Sequence, residues 1–364
     1  MAVPDWCHSL SDCIFRWLMQ LQDSEHPGRF RFCLTGSIFL PSENSGLDAS
    51  ALALKICHMI GALDSIPAGR LSQWACFIQS FQKQKERGGI FRHRQLCGFF
   101  IDPAFIKQAD NALGRFEYDI NTRRAVTRQA CAALMCAGRR PLYPVLSIPR
   151  STKEACAFLE SLDWERDPWG AGSHVSHLLF FLNMNRLFFG MAEPCSRIIP
   201  CIFDFLNSIR DERTGSWYRG NPPAAQKINA AMKVLTGYAV LGTPVESPEP
   251  LIDFCLSAAN EQDSCHNVDI IFVLHYCQRF TGYRRKDIEA FFERRVMVIE
   301  QFRKPDGAFS FYPQASQTAI YSVPIAQGLP ESDIHGTTLM LWALVMIADV
   351  LGYARDLRWH MPIT

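Results

Sequence analysis

Six long stretches of this chain are apolar almost all round: Leu47 to Ile60, Val126 to Ala137, His174 to Phe189, Gln226 to Leu241, His266 to Phe280 and His335 to Leu351. Each is long enough for about three helical turns or more, and a helix with no polar face must be enclosed by other helices. Between them lie stretches with one apolar face, among them RWLMQLQ, FIQSFQKQ, FDFLNSIRD and RVMVIEQF. No β-rich run competes, and Pro-rich segments such as GTPVESPEP read as loops. Enclosed helices alternating with amphipathic ones predict an all-α chain. The expected architecture is a single α/α toroid (an α6/α6 barrel) of about six helical hairpins spanning residues 1–364.

The enclosed stretches carry a polar column. Counting thirteen residues back from Gly61, Gly190, Gly242 and Gly282 lands on Asp48, His177, Asn229 and Asp269. A polar residue near the start of an apolar helix caps it, binds a ligand, or does both. Unpaired N–H groups and the positive end of the helix dipole lie there.

The connections also repeat. Gln22-DSEHP-Gly28-Arg29-Phe30 has the spacing of Gln301-FRKPD-Gly307-Ala308-Phe309, with looser copies at Gln84-KERG-Gly89-Ile90-Phe91 and ERT-Gly215-Ser216-Trp217. Each closes an amphipathic stretch, where glycine supplies the backbone freedom that ends a helix. Turns of the form Q-x5-G-x-aromatic, each followed by an apolar helix, resemble the QW-type repeats of the squalene cyclase and prenyltransferase superfamily. The resemblance covers most of the chain and implies the toroid. It also implies that Gln22 and Gln301 bond neighbouring backbone, with Phe30 and Phe309 stacked beneath. In that superfamily the reacting site lies in a central cavity at the N-terminal ends of the inner helices, where the polar column is expected.

Resemblance brings further candidates. Asp48, in Gly46-Leu47-Asp48-Ala49, is similar to the acid of the oxidosqualene cyclases, which must stay protonated to attack an alkene or epoxide. Its plainer role is an N-cap. The D-x-D-D motif of the class II cyclases is missing, which counts against the acid role, and D-D-x-x-D is also missing, which argues against diphosphate ionisation through magnesium. His335 resembles the histidine that binds zinc in protein prenyltransferases. Asp269 matches the aspartate ligand there, but Ile271 stands where the cysteine would be, leaving Cys265 as a substitute. No cofactor is expected, with zinc at Asp269, Cys265 and His335 the one alternative; a prenyltransferase would also need a helical partner subunit.

The segment LDWERDPWGAGSHVSHLLFFLN places His174 and His177 three apart, on one helix face, beside Trp169. Indole faces stabilise cations and also stack on sugars. Arg128 and Gln129 begin another apolar helix, as Lys227 does a third, and facing inward Arg128 and Lys227 would hold a diphosphate or carboxylate.

A net charge of +1 excludes a nucleic-acid field, and the apolar run Leu339 to Ala348 is too short to cross a bilayer. Fourteen cysteines without a CxxC pair, behind an N-terminus with no signal-peptide pattern, predict reduced thiols and a cytoplasmic protein. No GxSxG, P-loop, Rossmann or HExxH pattern is present. The expectation is therefore a terpenoid cyclase-like or prenyltransferase-like enzyme acting on a small apolar, isoprenoid-type substrate. Asp48, Asp269, His177 and His335 would carry the chemistry, and Trp169, His174, Asn229, Arg128 and Lys227 would bind. The alternatives are a carbohydrate-active α6/α6 lyase, epimerase or hydrolase, and a non-catalytic binding or scaffold module.

Overall fold

A computed structural model describes residues 3–36, 45–84, 97–102, 120–258, 264–320 and 323–364. Among these residues it contains thirteen α-helices and a single two-stranded ladder, so the chain is all-α. The helices are α1 (Asp5–His8), α2 (Leu10–Leu21), α3 (Leu47–Met59), α4 (Ala68–Ser80), α5 (Ile120–Cys136), α6 (Thr152–Glu160) and α7 (Pro168–Phe189). They continue with α8 (Ala192–Ile209), α9 (Ala224–Leu241), α10 (Glu249–Ala258), α11 (Ser264–Gln278), α12 (Arg285–Glu300) and α13 (Ile334–Leu351). Strands β1 (Ala319–Ile320) and β2 (Val323–Pro324) pair antiparallel just before α13.

From α3 onward the odd-numbered helices are the apolar stretches, and their side chains are largely buried. Each packs on the next: α3 on α5, α5 on α7, α7 on α9, α9 on α11, α11 on α13, and α13 back on α3. The flanking helices have one apolar face and sit against these. Helix α4 covers α3 and α5, α8 covers α7, α10 bridges α9 and α11, and α12 bridges α11 and α13. Helix α13 is long and apolar enough to cross a membrane, but most of it is buried within this packing.

Two boundaries differ from the sequence expectation. Helix α7 begins at Pro168 rather than His174, because the Asp167 carboxylate accepts the Gly170 N–H at 2.9 Å and proline suits the first turn. Helix α5 begins at Ile120, six residues before Val126. Gly190 and Gly242 end their helices in the left-handed conformation, whereas α11 stops at Gln278, before Gly282.

The repeating turns are closed by isolated antiparallel bridges: Gln22 with Phe30, Gln82 with Phe100, Arg210 with Trp217, and Arg303 with Phe309. Three of the four aromatics then dock on a hydroxyl of the next apolar helix. Phe30 N–H donates to Ser50 Oγ (3.1 Å), Phe100 N–H to Thr127 Oγ1 (3.0 Å) and Phe309 N–H to Thr337 Oγ1 (3.2 Å). These bonds tie the turns to α3, α5 and α13.

The glutamine role is redistributed. Gln82, which is buried, makes the backbone bonds: its Nε2 donates to Gly98 O (2.9 Å) and Tyr143 O (2.8 Å), and its Oε1 accepts from Leu142 N (2.6 Å) and Tyr143 N (3.1 Å). Gln301 is exposed and takes no such part, and Gln22 accepts from the Arg70 guanidinium at 3.2 Å. Gln84 is exposed, and Gly89, Ile90 and Phe91 of its expected repeat lie outside the described residues. Phe30 stacks on Trp74 with centroids 4.4 Å apart, and Phe309 meets Trp6 edge-on at 6.3 Å. Asp306 also fastens the turn, accepting from Ser332 N at 2.9 Å and from the Ser332 hydroxyl.

Candidate functional site

Helix α3 starts after Gly46, and its capping is done from outside. The Asp102 carboxylate accepts both the Gly46 N–H (2.7 Å) and the Leu47 N–H (3.1 Å). Asp48 is thereby relieved of the N-cap duty its position invites. Its side chain is buried and lines a cavity of about 320 Å3 with Gln129, Trp169, Lys233, Asp269 and His335. Phe311, Met232, Leu52 and Trp342 supply apolar wall to the same space. Burial, and secondarily the Asp102 charge, pushes the Asp48 carboxyl up to about 7. Such a group holds a proton near neutral pH and can release it.

His335 stands in the matching place on α13. It precedes the docking hydroxyl of Thr337 by two residues, as Asp48 precedes Ser50. Asp333 caps this helix, accepting from Gly336 N at 2.7 Å and also from Phe311 N and Gln317 N. Those bonds fold the 311–317 loop over the helix start. There Phe311 stacks on the His335 ring (5.3 Å between centroids) and Gln317 Oε1 lies 2.7 Å from its Nδ1. Burial, with Lys233 and Lys55 nearby, lowers His335 to about 4, so the imidazole is neutral. Asp269 comes from α11. With its amide oriented to satisfy its neighbours, Asn229 donates to Asp269 Oδ2 at 3.1 Å and to Ala225 O at 3.1 Å. Asn229 thus orients an acid rather than lining the cavity itself.

A second cavity, about 290 Å3, adjoins the first through the shared residues Gln129, Trp169 and Lys233. It is lined further by Arg128, His174 and His177. Arg128 donates to Ser176 Oγ, and Arg124 Nη1 lies 3.2 Å from His174 Nδ1. His177 is buried with its Nδ1 unpartnered. Burial first, then Arg128, His174, Lys233 and Arg124, hold its pKa well below the usual imidazole range.

The polar column therefore gathers at these two cavities: Asp48 and Asp269 in the first, His177 in the second, and Asn229 behind Asp269. Trp169 lies at the junction, with His174 and Arg128 in the second space. Lys227 does not join them. It faces the flank of α9, where its ammonium donates to Asn221 Oδ1 (2.9 Å) and lies over the Tyr218 ring. The side chain of Cys265 lies outside the described residues, and among the described residues no three histidine, cysteine or acidic groups converge as a metal site.

Lys233, Lys55, Gln317 and Arg124 complete the surroundings and are absent from the sequence-based candidates. Lys55 donates to Gln129 Oε1 at 2.9 Å, and burial lowers it to about 8. Two of these had a signal: Lys55 follows Asp48 by seven residues and Lys233 follows Asn229 by four. Those spacings keep each lysine on the face of the polar column.

The chain matches no family model, and no curated protein or solved structure is similar to it.

Proposed function

We propose that the cycle of helix contacts is an α/α toroid and that its central cavity is the active site of a terpenoid cyclase-like or prenyltransferase-like enzyme. One observation carries this reading: Asp48, Asp269 and His335, from three separate helices, meet in one cavity walled by Trp169, Phe311 and Trp342. In this account Asp48, held protonated by burial, delivers its proton to an alkene or epoxide of a mainly apolar substrate. The aromatic faces shield the cation that results. With His335 Nδ1 donating to Gln317 Oε1, Nε2 keeps its lone pair and, like Asp269, is placed to take a proton at the end. Zinc at Asp269 and His335 is the alternative chemistry, decided by metal analysis of the purified protein. The buried, unpaired cysteines suit a reducing, cytoplasmic compartment.

The two carboxylates and the indole in one space also favour a second reading, an acid–base enzyme acting on a carbohydrate. Incubation with a panel of prenyl diphosphates, polyenes and oligosaccharides, followed by mass spectrometry, separates the two. Altered lipid supports the first reading and altered sugar the second. A folded protein that changes neither and retains neither contradicts both and favours a non-catalytic module.

A further inference from the structure

Most of the described cysteines are buried, and a thiol buried in apolar surroundings is inert. Cys156 and Cys201 differ. Cys156 is exposed on α6 and Cys201 is half-buried on α8, two flanking helices that pack on each other. Their sulfurs lie 2.7 Å apart, and Cys201 Sγ also approaches Thr152 O at 3.8 Å. Neither is bridged.

Two thiols held face to face have a reaction that a single thiol lacks, closure to a disulfide. Nothing local in the sequence marks the pair: its members stand 45 positions apart, with no CxxC spacing. Selectivity comes from burial. Cys195, on the same helix as Cys201, is 1% exposed and bonds Leu182 O, so a solution oxidant does not reach it.

We propose that Cys156 and Cys201 are a reversible redox pair, which a glutathione-type disulfide oxidises to a bond between α6 and α8. Burial and the neighbouring Cys156 sulfur push the Cys201 thiol up to about 11, so the exposed Cys156 reacts first. Its thiolate attacks one sulfur of the oxidant, forming a mixed disulfide and releasing one glutathione thiolate. The Cys201 thiolate then attacks the Cys156 sulfur and expels the second. Two protein thiols are oxidised, the oxidant's disulfide is reduced, and both protons pass to the glutathione thiolates. Excess reduced glutathione runs the same steps backwards, so the dithiol is the resting form in a reducing compartment. The closed loop contains α7, which carries His174 and His177. The pair lies apart from the cavity chemistry, and its oxidation does not depend on whether the central cavity is catalytic.

The folded full chain is incubated with oxidised glutathione, blocked with N-ethylmaleimide, and digested for peptide mass spectrometry without reduction. A peptide joining Cys156 to Cys201 is expected, and it is expected to disappear when the oxidised protein meets excess reduced glutathione before blocking. Cys76, which is also exposed, is expected to carry glutathione or maleimide and no link to another cysteine. Cys201→Ser is expected to stop at the mixed disulfide of Cys156 with glutathione, the trapped first step. Oxidised wild-type protein is expected to melt a few degrees above the reduced form, because the bond restricts the unfolded chain. Recovery of both cysteines unlinked from the folded, oxidised protein overturns the proposal. A Cys156–Cys201 link that excess reduced glutathione does not open in the folded protein overturns it too, since the pair is then a fixed staple.

Discussion

Asp102 caps the helix on which Asp48 sits: its Oδ2 holds the Gly46 and Leu47 N–H groups at 2.7 and 3.1 Å, and its charge helps keep Asp48 protonated. An acid at the second position of a helix would ordinarily serve the helix. Here a residue outside α3 does so, and the acid faces the cavity.

The raised Asp48 pKa has a sign that stability measurements can read. The unfolded chain titrates this group near 3.8 and the folded chain at about 7, so between those values the folded state binds the proton more tightly. Stability from this group is then full below pH 4 and falls as pH rises towards 7, by roughly 1 kcal/mol per pH unit. Asp48→Asn is expected to remove that slope and to be more stable than wild type at pH 7. Urea unfolding of both proteins at pH 5, 6 and 7 checks it, and parallel profiles would contradict it.

His335 titrates with the opposite sign. Its folded value, about 4, lies below the usual 6.5, so the unfolded chain binds the proton more tightly between them. Its contribution is present above pH 6.5 and is lost as pH falls towards 4. His335→Gln is expected to flatten this acid-side loss, provided the variant melts cooperatively. The same pH series measures it.

Gln82 and Gln301 differ in a way that substitution makes visible. Gln82→Ala removes four hydrogen bonds to buried or half-buried backbone and is expected to destabilise the protein by about 2–4 kcal/mol. Gln301→Ala, at an exposed position, is expected to stay within about 0.5 kcal/mol. Chemical denaturation of the two variants compares them directly.

This pair also shows what the sequence does and does not disclose. The apolar helices are legible because a helix buried on all sides needs no polar face, as in the run from Leu339 to Ala348. The bridging turns are legible from Gln22–Phe30 and Gln301–Phe309 spacing, but the bonding glutamine is not. Gln82 reaches backbone at Tyr143, some sixty positions away, and such a partner leaves no local trace. Half of the site follows from the glycine-to-polar spacing that marks Asp48, His177 and Asp269. Lys233 and Lys55 leave no such mark, because the long stem of a lysine lets its ammonium reach solvent even from an apolar helix. Lys227 stands at a helix start and turns outward to Asn221.

Close packing at the start of α13 gives another test. A Cβ on Gly336 would lie 2.3 Å from Phe311 N and from Ser310 C, the backbone that folds over His335. Gly336→Ala must displace this loop and is expected to cost about 2 kcal/mol or more. Thermal melting measures the cost, and a melting temperature equal to wild type would show that the loop does not pack there.

The central claim is that Asp48 donates a proton within the cavity. Turnover of the polyene or prenyl substrate in D2O, read by mass spectrometry, tests it most directly. An alkene protonated by an exchangeable acid and completed by loss of another proton yields an isomer of the substrate carrying one deuterium. The account predicts that product from the wild-type protein and none from Asp48→Asn. Product without deuterium, or product formed undiminished by Asp48→Asn, would contradict it.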